Sequence, residues 1–319
     1  MIRQPLRLLA GTTLALSLLG GATVASKAQE FINVLTGGTS GVYYPLGVAL
    51  SEMYGANMDG VRTQVQSTKA SVENLNLLQD QRGEIAFALG DSVAFAWEGN
   101  EEVGFSEPLS DIRAIAAIYP NYIQIVASEE SGIETVADLA GKRVSVGAPA
   151  SGTELNARAI LEAAGMSYDD LALVEYLPYA ESAELIKNRQ LDATLQSSGL
   201  GVAFIKDLAA TMPITIVEVP ADVVESIGAP YVATVIPAGT YEGQDEDVST
   251  AAVGNQLVTH AGVSDETAYQ MTKLMFENLD QMVAAHAAAR DISVDTALDG
   301  LAIPLHPGAE RYYQEAGVQ

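Results

Sequence analysis

Two short stretches carry residue types suited to holding an anion. The first is Gly37-Gly38-Thr39-Ser40-Gly41, which follows a buried apolar run at Phe31 to Leu35. After it, Leu46, Ala49, Leu50 and Met53 recur at helical spacing. Pro45 has no backbone donor and belongs in a first turn, so the helix starts near Val42 to Tyr44 and ends at Gly55. A strand, a glycine turn and a helix N-terminus leave backbone N–H groups converging on one point with hydroxyls beside them. The second stretch repeats the pattern: a strand at Val144 to Gly147, a small-residue turn holding Ser151, Gly152 and Thr153, then a helix stopped by Gly165. The first turn is not a P-loop, because no Gly-Lys-Ser/Thr follows, and it does not read GxGxxG.

Other chemistries lack their residues. There is no cysteine, which removes disulfides, thiol catalysis, Cys-ligated zinc and a lipidated N-terminal Cys. His260, His286 and His306 lie far along the chain from the glycine turns and form no HExxH spacing. GxSxG is absent. Asp245-Glu246-Asp247 lacks the calcium-loop pattern and reads as a solvated loop. No metal, no cofactor and no catalytic residue is expected.

The elements that must position the turns alternate. Strands are expected at 61–65, 84–89, 112–118, 122–127, 192–196, 214–219 and 231–236. Ser71 is a candidate N-cap for the next helix, and Gly90-Asp91-Ser92 turns into another. Helices are expected at 183–188 and through most of the chain after residue 249. Gly37 and Gly90 stand 53 residues apart, and Gly147 and Ser197 stand 50 apart. The repeat is one of architecture, and it implies two α/β lobes, each with a mainly parallel sheet that places ligands at strand carboxyl ends. Crossings between lobes are expected at 119–122 and 235–238, both containing Pro, as a short hinge. Lobe I is then 29–120 with 237–319, and lobe II is 121–236.

Residues 1–28 have the features of a secretory signal: Arg3 and Arg7, an apolar run from Leu8 to Leu19, and a small-residue site at Ser26-Lys27-Ala28. A periplasmic location follows. The full chain carries −25. Three basic residues precede residue 29, leaving 13 Lys and Arg against 41 Asp and Glu, a balance of −28. Nucleic acid and anionic membrane are poor partners for such a chain, and no membrane insertion is expected after cleavage. An anionic ligand approaches against this field and needs local donors.

Several runs together resemble one family: TGGTSGVYYPLG, SVENL, KRVSVGAPASGTELNARAILEAAG, PAGTYEGQDEDV, FENL and ALDGLAIPLHPGAERYY. They are similar to the TAXI group of TRAP-transporter solute receptors, across essentially the whole mature chain. The resemblance implies a type II periplasmic binding protein fold, with two α/β lobes closing by a hinge on a small solute. The solute would be a small organic acid or amino acid such as glutamate, 2-oxoglutarate or a related dicarboxylate, passed to TRAP membrane subunits. It puts Gly38, Thr39, Ser40 and Tyr43 on the first wall, with Ser71, Asn74, Asp91 and Ser92 beside them. Ser151, Gly152 and Thr153 form the second wall. Lys69 replaces a small residue usual before SVEN and would add a cation. Gln196-Ser197-Ser198-Gly199 also departs from the group's pattern. A sensor presenting its closed form to a membrane kinase and an ABC-transporter binding protein are the alternatives. An enzyme is not expected, since no nucleophile–base pair stands out.

Overall fold

The computed structural model describes residues 30–318, so the signal segment expected at 1–28 lies outside the described residues. The chain opens with β1 (Glu30–Leu35), α1 (Tyr43–Asn57), β2 (Val61–Gln66), α2 (Ser71–Gln79), β3 (Ile85–Leu89) and α3 (Gly90–Glu98). β4 (Ile112–Ser128) is a strand of 17 residues. Then come β5 (Arg143–Ser145), α4 (Gly152–Ala163), β6 (Leu173–Glu175), α5 (Tyr179–Lys187) and β7 (Ala193–Ser198). They are followed by α6 (Ala203–Ala209), β8 (Ile214–Val217), α7 (Ala221–Ile227), β9 (Val232–Ile236) and β10 (Val248–His260). The chain closes with α8 (Asp265–Glu277), α9 (Leu279–Ala285) and α10 (Pro307–Ala316).

The sheet runs β2-β1-β3-β10-β4-β7-β5-β6. Each half has the same plan. β1 lies parallel between β2 and β3, with β10 antiparallel on the far side of β3. β5 lies parallel between β6 and β7, with β4 antiparallel on the far side of β7. The architectural repeat expected from spacing is therefore a topological repeat, and the fold is a two-lobed mixed α/β one.

β4 and β10 belong to both halves. Ile112 to Ala117 pair with Gln256 to His260, whereas Tyr122 to Ala127 pair with β7. Strands expected separately at 112–118 and 122–127 are thus one strand running through Pro120. Pro120 faces Gly254 of β10, where the ladder shifts register. A proline without a donor opposite a glycine within a bulge weakens pairing at the point of crossing.

One expectation is corrected here. Ser249 to His260, expected as helix, is β10. The run is buried on both faces, so its apolar pattern does not distinguish strand from helix. Near the second crossing expected at 235–238, β9 pairs with Val248 to Ala252 of β10, and beyond Gly254 β10 pairs with β3 and with Ile112 to Ala117 of β4.

Packing fixes the helix starts. Leu46, Leu50 and Met53 of α1 are buried against Ile32, Val34 and Phe87. Each such side chain contributes about 1.5–3 kcal/mol. Gly47 brings α1 close to the sheet, because a Cβ there would stand 2.4 Å from Thr36 Cγ2. In the second half, Ile160 and Leu161 of α4 pack with Ile123, Ile125 and Leu195.

Candidate functional site

Four helices begin at one cavity of about 330 Å³, and their first residues, Tyr43, Ser71, Gly152 and Tyr179, all line it. The first turn of each helix presents N–H groups without intrahelical acceptors. Each N-terminus also acts as a partial positive charge of roughly half an elementary unit. α1 and α2 come from the first half of the fold, α4 and α5 from the second.

Nine of the twelve residues expected at the site line this cavity: Gly38, Thr39, Ser40, Tyr43, Lys69, Ser71, Ser151, Gly152 and Thr153. Gly38, Thr39 and Ser40 form the β1–α1 turn, closed by the Gly41 N–H donating to the Gly38 carbonyl at 3.1 Å. Tyr43 stacks on Phe87 with ring centroids 5.0 Å apart and donates its hydroxyl to Asn255 Oδ1. Burial holds that phenol well above the ordinary tyrosine value, so it is a neutral donor. Lys69 sits exposed at the rim, its backbone N–H held by the Glu73 carboxylate at 2.6 Å. It and Glu181 are the cavity's charged lining residues.

Three hydroxyls play different parts from those expected. Ser71 is not an N-cap. Ala70 occupies that position with φ of +75°, and the Ser71 hydroxyl accepts the Leu89 N–H at 3.1 Å. Ser151 caps α4, accepting the Glu154 N–H at 3.2 Å and donating to the Ala148 carbonyl at 2.6 Å. Its hydroxyl proton is therefore directed at the protein, and what this turn offers a ligand is backbone N–H. Thr153 Oγ1 lies 2.6 Å from the Tyr179 hydroxyl, which itself donates to the Ser197 carbonyl at 2.7 Å.

Asn74, Asp91 and Ser92 do not line the cavity. Asn74 is fully buried and donates to the Thr36 and Phe87 carbonyls at 2.7 and 2.9 Å, tying the strand ends behind the glycine turn. Asp91 is also fully buried. One of its oxygens accepts the Ser92 N–H at 2.6 Å, and the other accepts from Asn156 Nδ2 at 2.7 Å and the Tyr231 hydroxyl at 2.6 Å. Burial raises its pKa, against the opposing pull of those bonds. Ser92 supports that carboxylate. Short polar residues at a strand–helix turn suggest ligand contact in sequence, and here they face protein.

Further lining residues escaped the sequence. Tyr119 and Asn121 flank Pro120 at the crossing of β4. Tyr119 is buried and its hydroxyl has no partner among the described residues. Asn121 accepts from Asn255 Nδ2 at 3.0 Å. Pro178, Tyr179, Ala180 and Glu181 start α5, four residues ahead of the expected helix. Pro178 was the available signal, since proline marks helix starts.

The described residues contain no group of three or more His, Asp or Glu able to hold a metal ion. No helix among them is long and apolar enough to cross a membrane.

A family model described as the NMT1-like family matches residues 34–317. The chain belongs to the NMT1-like family. This NMT1-like chain is also similar to solved periplasmic binding proteins. The alkanesulfonate-binding protein SsuA of Xanthomonas axonopodis pv. citri, bound to MOPS, is 14% identical with a TM-score of 0.51, covering 90% of this chain and 84% of that one. PhnD1 of Prochlorococcus marinus, in complex with methylphosphonate, is 11% identical with a TM-score of 0.53, covering 91% and 99%. The binding component of an ABC phosphonate transporter from Pseudomonas aeruginosa is 12% identical with a TM-score of 0.53, covering 86% and 83%. At such identities the likeness establishes the fold, that of the periplasmic binding proteins.

Proposed function

We propose that this protein is a periplasmic solute receptor that holds a small organic oxyanion between its two halves and passes it to a membrane transporter. One observation carries the reading: four helix N-termini, two from each half, meet at one cavity. Micromolar binding needs about 8 kcal/mol. Each N-terminus supplies roughly 0.3–1 kcal/mol, up to about 2 when partly buried. Two or three charge-assisted hydrogen bonds at about 1.5–3 kcal/mol each supply the remainder. Neutral donors do most of this work, with Lys69 as a single cation at the rim.

The halves move as lobes about the paired crossing of β4 and β10 at Pro120 and Gly254. A solute that touches both walls favours the closed arrangement, because only that arrangement offers both sets of donors. We take lobe I as 30–120 with about 254–318, a division that the change of strand partners near Pro120 and Gly254 supports.

Two membrane partners are consistent with this reading. The neighbours named for sulfonates and phosphonates support an ABC transporter and a compact oxyanion head. The sequence motifs support the TAXI type of TRAP system and a carboxylate such as glutamate or 2-oxoglutarate. Thermal shift against carboxylates, alkanesulfonates and phosphonates tests the receptor reading, since a ligand selective for the native state raises Tm. A Tm unmoved by all three classes overturns it. Uptake into vesicles carrying the membrane partner then separates the systems by whether ATP or an ion gradient drives it.

A further inference from the structure

Beneath the cavity a line of buried polar groups passes from one half to the other and back. It starts at Tyr43 on α1, whose hydroxyl donates to Asn255 on β10. Asn255 donates to Asn121 on β4 at 3.0 Å, and Asn121 reaches Ser197 on β7 at 3.4 Å. Ser197 donates to Asn156 on α4 at 2.6 Å. Asn156 and Tyr231, both from the second half, then converge on Asp91 of α3 in the first. The donors balance. Asn156 gives one hydrogen to Asp91 and the other to the Tyr231 oxygen at 2.7 Å, and Tyr231 gives its only hydrogen to Asp91.

We infer that Asp91 is a positioning residue: a buried carboxylate in the first half that clasps Asn156 and Tyr231 of the second, and so sets how readily the cleft closes without touching the solute. The clasp consists of protein groups alone, so it favours closure with or without solute. Two neighbouring features require the same closed arrangement. The Glu73 N–H donates across the cleft to the Ala150 carbonyl at 3.2 Å. Gly152 of α4 approaches so closely that a Cβ would stand 2.6 Å from Leu89 Cδ1 and 2.7 Å from Ser71 Oγ. Opening exchanges the bonds from Asn156 and Tyr231 for water. Closing buries a charge, which is tolerated only while those donors face it. Removal of one donor therefore acts on the open–closed balance, whereas each half keeps its own core.

The inference rests on the two halves moving as lobes, and its test needs no ligand. The chain has no cysteine. Replacing exposed Asp80, at the end of α2, and Glu162, on α4, with Cys gives one spin label on each half. Double electron–electron resonance then reads the distance between them. Wild type is expected at the short, closed distance. Gly152→Ala, whose methyl group would have to displace the Leu89 and Ser71 side chains in the closed cleft, is expected to shift towards the long one. Tyr231→Phe and Asp91→Asn should shift towards Gly152→Ala, changing the closed-to-open ratio roughly ten- to hundred-fold, the value of one or more charge-assisted bonds. Tyr231→Phe keeps its ring, and cooperative melting serves as its folding control. The clasp is overturned if Tyr231→Phe and Asp91→Asn keep the wild-type distance while Gly152→Ala opens, or if wild type already stands at the long distance. One common distance in all four chains overturns both the clasp and the moving lobes. Clasp variants that open, in a protein whose Tm responds to none of the three classes of oxyanion, support the clasp and remove only the receptor reading.

Discussion

The two walls of the cavity are built on one plan and present their donors differently. In the first half, α1 and α2 both start without a side-chain cap, behind Val42 and Ala70. Their first-turn N–H groups lack a protein acceptor from the capping position. In the second half, Ser151 caps α4 and occupies one such N–H with its own oxygen. The contrast lies between the two matched turns, since α5 also starts without a side-chain cap, behind Pro178, and the Glu73 N–H of α2 is taken by the Ala150 carbonyl. The glycine turn before α1 should contribute more direct grip on the solute than the Ser151 turn before α4.

The largest expected difference separates two buried asparagines. Asn74 ties strand ends within the first half, through the Thr36 and Phe87 carbonyls. Asn156 ties one half to the other, through Asp91 and Ser197. Asn74→Ala removes two buried hydrogen bonds within the first half; the Thr36 carbonyl keeps the Thr68 hydroxyl at 2.8 Å, and a buried group that loses its donor costs about 1–3 kcal/mol. Urea unfolding should report a loss of about 2–4 kcal/mol. Asn156→Ala should cost less in unfolding and more in solute affinity. Equal losses in both assays would erase the distinction between a bond within a wall and a bond between walls.

Next in size is the pair Gly152 and Gly38. A methyl group at Gly152 strikes Leu89 and Ser71 across the cleft, whereas one at Gly38 meets nothing within 4 Å. Gly152→Ala should weaken binding of a solute found by thermal shift at least ten-fold by isothermal titration. Gly38→Ala should leave the closed arrangement intact. A closed crystal structure of Gly152→Ala with both backbones unmoved would break this contrast.

Much of the contrast was legible in the sequence. The glycine turn and the Ser151-Gly152-Thr153 turn both follow strands and open helices, and the similar spacing of the halves, 53 and 50 residues, reflects a real repeat of topology. The proposed crossing has a signal in one strand alone: β4 carries Pro120, but β10 carries no proline and its run of small apolar residues fits helix and strand alike. Asp91 and Asn74 show what spacing leaves out. A polar residue at a turn faces either a ligand or a neighbouring chain segment, and only the three-dimensional path of the far segment decides. Tyr231 lies 140 residues beyond Asp91. Tyr119 and Asn121 line the cavity because β4 runs beneath it, which no local pattern records.

Acidity offers a smaller effect on the bond between walls. Burial raises the Asp91 pKa, so the folded protein holds that proton more tightly than the unfolded chain does. Its contribution to stability therefore grows as pH falls through the raised value, is complete below the unfolded value of about 3.9, and is lost as pH rises. The titratable groups facing it, Tyr231 and Tyr43, are themselves pushed well up by burial and stay neutral throughout. Urea unfolding of wild type and Asp91→Asn between pH 7 and pH 4 isolates this slope as the difference between the two curves. Parallel curves would show that Asp91 meets the same surroundings folded and unfolded.

The smallest effect tests the two turns most directly. Ser151→Ala removes a cap whose hydroxyl points at protein on both sides, so it should lower stability by about 1 kcal/mol. Solute affinity should change little, because the N–H groups of Gly152 and Thr153 remain. Thr39→Ala removes an exposed hydroxyl from the uncapped turn before α1. Its stability should stay within about 0.5 kcal/mol of wild type, as for surface changes in general. Its affinity should fall by the worth of one hydrogen bond, about 0.5–1.5 kcal/mol. The two substitutions delete the same kind of group from matching turns, so their effects on melting and on titration should cross. If both lower affinity equally and neither lowers stability, the second wall grips through its side chain as the first does, and the cap on α4 is not what distinguishes them.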